Sequence, residues 1–211
     1  MSLPFPTVPR EPLHTRSIQV RTFAREDGLY DLEAELIDLK AYDFPTRTGI
    51  KRAGDAVHHM HVRVTINDGF DIVDAMAAYG AAPYDEHCSA IAPGYGDLVG
   101  MNLLRGFRGS VKARFGRTAG CIHMSELAAV LPTVAVQTLG GRHRDLPVDA
   151  ESTTRPFQLD GCHALRVDGT VVKRDYPRWY AAPAEGAARS DAEPASALTS
   201  ASSPSSSSSD S

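Results

Sequence analysis

Apolar and polar residues alternate over residues 17–24, with Ile18, Val20 and Thr22 opposing Gln19, Arg21 and Phe23, and again from residue 30, with Tyr30, Leu32, Ala34 and Leu36 opposing Asp31, Glu33 and Glu35. A period of two sends successive side chains to opposite faces of a strand. Arg25-Glu26-Asp27-Gly28 lies between the runs, an Asp-Gly turn of the kind that joins antiparallel strands, so the pair predicts a hairpin with one buried face. Over residues 59–66, Met60, Val62, Val64 and Ile66 oppose His59, His61, Arg63 and Thr65. Asn67-Asp68-Gly69 then turns the chain into residues 70–79, where Ile72, Ala75 and Ala77 continue a strand with an irregularity near Val73-Asp74. Two hairpins of this kind make an antiparallel sheet with one face to be covered.

The pattern then changes to helical spacing. Glycines and Pro93 keep any helix within residues 89–100 short, whereas Phe107, Val111 and Phe115 recur four apart, and Met124, Leu127, Ala128, Leu131 and Ala135 continue at helical intervals. Pro132 has no backbone donor and clashes one turn back, so the last helix is expected to kink or split there. The fold class is therefore α+β: an antiparallel sheet of about four strands covered on one face by C-terminal helices. Residues 1–13, with four prolines, are expected to form an extended arm, and residues 14–180 a single domain. Within it, residues 44–54 form a connection and residues 140–156 a polar loop. Residues 157–180, with Asp-Gly turns at 160–161 and 168–169, form a late hairpin or extended wrap. From residue 181 the chain is Ala/Ser/Pro/Glu-rich and ends with five consecutive serines at 205–209. It cannot bury enough apolar surface to offset the entropy of ordering, so residues 181–211 are expected to be a disordered tail.

Composition narrows the function classes. Of 211 residues, 22 are Lys or Arg and 26 Asp or Glu, a net charge of -4, and most of that excess lies in the tail. Nucleic-acid binders concentrate basic surface, so no nucleic-acid partner is expected. The longest apolar stretch, residues 127–136, includes Pro132 and is about half of what a bilayer requires, so no membrane partner is expected. The N-terminus lacks a basic-then-apolar secretory pattern, which points to a cytoplasmic protein.

Candidate chemistry centres on three cysteines, each with a histidine close by: His87 precedes Cys88, His123 follows Cys121 by two, and His163 follows Cys162. Their odd number and wide spacing argue for reduced thiols. Imidazole binds zinc, and imidazolium lowers a thiol's pKa. A free cysteine also packs as a small buried hydrophobe, the structural alternative. Cys121 stands at the expected start of a helix, where unpaired N–H groups and the dipole favour thiolate, so it is the first candidate nucleophile, with His123 as its base. Glu126 lies three residues beyond His123 on the same helix face and can orient the ring. If the helices pack back across the sheet, Cys88, Cys121 and His123 form a three-ligand site for one zinc or iron ion. Its fourth position is open to water or substrate, or closed by Cys162. On the sheet's polar face His59, His61, Arg63, Glu33 and Glu35 share a side, while His58 points to the other. The stretch from Leu36 to Phe44, dense in Asp, Lys and Tyr, lines a pocket or simply ends a charged strand.

Several segments carry a resemblance: residues 10–16 (Arg-Glu-Pro-Leu-His-Thr-Arg), 27–33, 38–44, His58 with Met60, 119–127, and 156–164 followed by Tyr176-Pro177. They resemble a bacterial family known only as a domain of unknown function, numbered 2889, over most of residues 10–180. That resemblance implies which positions matter and assigns no reaction. A second resemblance is to the iron–sulfur scaffold and sulfur-acceptor fold, carried by residues 60–79, Cys88-Ser89-Ala90-Ile91-Ala92 and Cys121-Ile122-His123-Met124. The scaffold's additional cysteine in the sheet is missing, which leaves a mononuclear metal or a single reactive thiol. The leading expectation is an enzyme of small-molecule metabolism with a thiol or metal site, acting on a small-molecule substrate. The alternatives are a non-catalytic metal- or sulfur-handling binding module and a purely structural core. The sequence assigns no oligomeric state.

Overall fold

The computed structural model describes residues 3–142 and 155–183. The chain divides into two compact units, residues 1–147 and 148–211.

In the first unit β1 (His14–Ala24), β2 (Tyr30–Lys40), β5 (Ala56–Ile66) and β6 (Ile72–Ala81) form one antiparallel sheet in the order β1-β2-β5-β6. Both expected hairpins are present, and the long connection from β2 to β5 makes those two strands central neighbours. In the first turn Gly28 takes φ 83°, which its lack of a Cβ permits, while Arg25 N–H donates to Leu29 O at 2.9 Å. Residues 44–54 do more than connect: β3 (Phe44–Thr46) and β4 (Gly49–Lys51) pair as a separate small hairpin. Here Thr46 Oγ1 donates to Gly49 O at 2.9 Å, closing a turn that alternation could not reveal in strands of three residues.

Even-numbered positions of β2 and β5 face inward. Leu32, Ala34, Leu36, Met60, Val62, Val64 and Ile66 are all buried. Three positions interrupt the ladders, each with one extra residue: Val57 before His58, Gly80 opposite the step from His59 to Met60, and Val73 where the irregularity was expected. Such bulges re-aim neighbouring side chains and concentrate beside functional sites.

Helices cover the inner face. After the short α1 (Asp85–Ser89) and a 3-10 turn at Ala92–Leu98 come α2 (Phe107–Phe115), α3 (Ile122–Ala129) and α4 (Leu131–Arg142). Phe107, Val111, Phe115, Met124, Leu127, Ala128, Leu131 and Ala135 are all buried, as their spacing predicts. The chain breaks at Val130, and Pro132 takes the second position of α4, inside the first turn where a missing N–H costs nothing. α4 runs to Arg142, so residues 140–142, expected in a loop, are helical. Ile122–Gly140 is 19 residues of mean hydropathy 1.2, long and apolar enough to cross a bilayer by length and composition, which the shorter apolar run did not suggest. Its Met124, Leu127, Leu131, Ala135 and Leu139 are instead part of the core cluster.

In the second unit the expected hairpin or wrap is not formed; among the described residues there is no strand. Asp160 takes φ 62° and Asp160 N–H donates to Leu165 O at 2.8 Å. A 3-10 turn at His163–Leu165 precedes α5 (Thr170–Asp175), which starts after Gly169, and a second 3-10 turn follows at Pro177–Trp179. Local β propensity at Val171-Val172 gives way to burial of Val172 on a helical turn. The Ser-rich stretch from residue 184 lies outside the described residues.

Candidate functional site

The inward-facing row of the sheet ends in polar residues. Strand register places Arg16 opposite Asp38 and Asp38 opposite His58, one row across β1, β2 and β5. All three positions have the parity of the buried apolar residues, so the row continues the core with charge. Asp38 is 2% exposed. A carboxylate so placed requires donors, and four nitrogen contacts surround it. Oδ1 lies 2.8 Å from Arg16 Nε and 3.1 Å from His14 Nε2; Oδ2 lies 2.8 Å from Arg16 Nη2 and 2.9 Å from His58 Nδ1. Burial alone would push the Asp38 carboxyl up. The Arg16 hydrogen bonds and charge, with help from His58, overcome it and hold the group at about 2.

α3 closes this end. Tyr95, fully buried and stacked on Phe115 at 4.5 Å, accepts the Cys121 N–H at 2.9 Å, and its hydroxyl donates to Cys121 O at 3.1 Å. These two bonds fix the backbone at the helix start, where Cys121 is the N-cap residue in an extended conformation. The half-buried His123 packs against His58 with ring centroids 4.0 Å apart and the planes tilted by 33°, and its Nδ1 lies 3.8 Å from Cys121 Sγ. Burial lowers the His123 pKa, and the charges of His58 and Arg16 add to the effect, which shifts the ring toward its neutral form; Asp38 and Glu126 oppose the shift. Glu126, one turn along α3, forms an ion pair with Arg16. Burial also raises the Tyr79 phenol far above its ordinary range, with Cys121 contributing.

The structure thus brings together two of the cysteine-centred candidates, Cys121 and His123, while Glu126, expected to orient the His123 ring, instead pairs with Arg16 of the buried row. Cys88 lies on α1, half-buried, and all three cysteines are free. Among the described residues two groups of three could hold a metal ion by the mutual proximity of their ligand atoms, within 4.8 Å: Asp38/His58/His123 and Glu35/His59/His61. Neither contains a sulfur, so the Cys88/Cys121/His123 set does not come together as a ligand cluster; the imidazole beside His123 belongs to His58. Cys162 is an exposed residue of the second unit.

Sequence reasoning missed His14, Arg16 and His58 as site residues and left Asp38 undecided. The signal was present in parity: Arg16, Asp38 and His58 carry the alternation of Ile18, Leu36 and Met60 one step beyond the apolar run.

No curated protein and no solved structure matches the chain, and the iron–sulfur scaffold resemblance therefore gains no support. Residues 14–137 match a family described as "Protein of unknown function (DUF2889)". The matched segment contains His14, Arg16, Asp38, His58, Cys121, His123 and Glu126, and covers more than half of the sequence: the chain belongs to the DUF2889 family.

Proposed function

We propose that the protein is a thiol-dependent enzyme of small-molecule metabolism, acting in the cytoplasm, in which Cys121 is the nucleophile and His123 the base. The observation that carries this reading is the 3.8 Å separation of Cys121 Sγ from His123 Nδ1 at the start of α3. A neutral imidazole accepts the thiol proton as sulfur attacks an electrophilic carbonyl carbon. The developing oxyanion lies near first-turn N–H groups that helix geometry leaves unpaired. The imidazolium so formed is favoured by Asp38 and Glu126. Collapse of the adduct expels the leaving group, which takes the proton from His123; water then attacks the resulting thioester with the same ring as base, and the carbon–sulfur bond breaks to release the acid and Cys121, whose sulfur takes the proton back from His123. His58, Asp38, Arg16 and Glu126 are positioning residues: the carboxylate fixes His58, and His58 backs the His123 ring.

Timed alkylation with iodoacetamide, read by mass spectrometry at each cysteine, tests this. Cys121 should react faster than the more exposed Cys162, and His123→Ala should slow Cys121 about tenfold or more while leaving Cys162 unchanged. A Cys121 that reacts more slowly than Cys162, or at a rate indifferent to His123, would sink the reading.

A metal-centred alternative is favoured by the proximity of the Asp38, His58 and His123 ligand atoms. It is the weaker of the two. Both Asp38 oxygens already face nitrogen donors, and an ion would have to displace the doubly bonded Arg16 guanidinium from a buried carboxylate.

A further inference from the structure

The outward face of the same sheet carries a second cluster with different electrostatics. Glu35 on β2 stands directly opposite His61 on β5, and His59 lies on the same face two residues back. His59 Nε2 is 2.7 Å from Glu35 Oε1, and the His59 and His61 rings are 4.5 Å apart at 52°. The ligand atoms of all three residues lie within 4.8 Å of one another. All three side chains are partly open to solvent, so an ion entering here would keep part of its water shell.

Three features separate this cluster from an ordinary polar strand face. Glu35 bonds one imidazole, and its Oε2 takes no hydrogen bond from the described residues, so the carboxylate retains lone pairs that Asp38 has used. The neighbouring guanidinium groups make their ion pairs with Glu33: Arg21 and Arg63 each approach it at 3.7 Å, and Arg21 acts on Glu35 only through its charge, as the weakest of the causes that lower it. Finally, the bulge at Gly80 makes room for His59. A Cβ at that position would sit 3.0 Å from His59 Nδ1, closer than nine in ten real contacts, so the ring occupies space that glycine leaves vacant.

We propose that Glu35, His59 and His61 form a binding site for a divalent transition-metal ion, of the zinc or ferrous class, with coordination positions left open to water or an exogenous ligand. Two imidazole nitrogens and one carboxylate oxygen suit ions of intermediate softness better than calcium or magnesium, which take oxygen ligands. Metal–ligand bonds of about 2.0–2.2 Å place neighbouring donor atoms roughly 3–3.6 Å apart, so the 2.7 Å contact opens slightly as the ion enters. A shallow cleft of about 200 Å³, lined by Glu35, His61, Arg63 and Met76 among others, adjoins the triad and gives the further ligand its space. The site is on the opposite face of the sheet from Cys121 and does not depend on thiol chemistry there.

The test uses the full chain, purified without a metal-affinity tag and stripped with chelator. Zinc titration by calorimetry should find one site, and cobalt(II) should give visible d–d absorption without sulfur-to-metal charge transfer. His61→Ala and Glu35→Ala should each abolish that binding, Gly80→Ala should weaken it by about tenfold to a hundredfold through the displaced ring, and Cys121→Ser and His123→Ala should leave it intact. Failure of the folded wild-type chain to bind zinc at tenfold molar excess would overturn the proposal. So would a site that survives in the Glu35→Ala/His61→Ala double variant or is lost with His123. None of these outcomes bears on the alkylation of Cys121, so the two readings fail separately.

Discussion

His58 and His59 are neighbours in the chain, and each bonds a β2 carboxylate, yet the two pairs sit in opposite circumstances. On the inward face the Asp38–His58 contact of 2.9 Å is enclosed beneath α3, and the carboxylate is completed by Arg16 and His14. On the outward face the Glu35–His59 contact of 2.7 Å is left partly open, and its carboxylate has capacity to spare. Burial decides the difference. A carboxylate at 2% exposure must be saturated by donors to exist as an anion, and saturation makes it a rigid orienting group. A carboxylate in contact with water can remain incompletely bonded, and that incompleteness is what a cation requires. The same pairing, placed by strand parity on two faces, gives a site that organises protons and a site that accepts an ion.

The sharpest way to break this comparison is to remove each carboxylate in turn. Asp38→Ala leaves a guanidinium and two imidazoles around a buried hole and should cost about 3–5 kcal/mol of folding stability in urea denaturation. Glu35→Ala removes a partly exposed pair and should cost no more than about 1 kcal/mol. Equal losses would mean that burial does not distinguish the two faces.

A pair of glycines sharpens the contrast. At Gly120, just before Cys121, a Cβ would lie 2.7 Å from Phe115 Cβ and 2.9 Å from its carbonyl carbon, and it would approach Phe115 O more closely still. These atoms belong to the end of α2 and cannot swing aside, so Gly120→Ala should lower stability by up to about 3 kcal/mol and slow the alkylation of Cys121. At Gly80 the obstacle is an imidazole that can turn, so Gly80→Ala should cost less than about 1 kcal/mol in stability while disturbing the outward cluster. Thermal melts and denaturant titrations of the two variants side by side decide it.

Much of the frame could be read from the sequence because the signals are local. Alternation gave both hairpins and the bulge near Val73, and the spacing of Phe107, Val111 and Phe115 together with Pro132 gave the split helical cover. The site was harder because it depends on register. Arg16, Asp38 and His58 are each at least twenty residues from the next and become one row only once β2 is known to pair with both β1 and β5. Cysteine–histidine adjacency pointed correctly to Cys121 and His123 as spatial neighbours, but it drew Cys88 into a cluster that the described geometry does not contain. Proximity in sequence is informative within one helical turn, and it says little about which strand end lies beneath that turn.

The last expected effect concerns acid. The Asp38 carboxyl is at about 2 in the folded protein, below its value near 3.8 in an unfolded chain, so the unfolded state takes up the proton first. The stabilisation this shift supplies is complete above roughly pH 5 and is lost as pH falls from about 4 through about 2, amounting to about 2 kcal/mol. Asp38→Asn, which cannot titrate, should lower stability at neutral pH and flatten this part of the pH dependence. Glu35 is also lowered, chiefly by the His59 hydrogen bond, but it is partly solvated, so its contribution is smaller and of the same sign. Asp27, Asp43, Asp71 and Asp175 are lowered too, at exposed or partly exposed positions, so stability measured by urea denaturation between pH 2 and pH 6 should lose more of its acid slope in Asp38→Asn than in Glu35→Gln. If the slope follows Glu35 instead, the buried row is not the electrostatic centre of this fold, and the assignment of an orienting role to Asp38 fails with it.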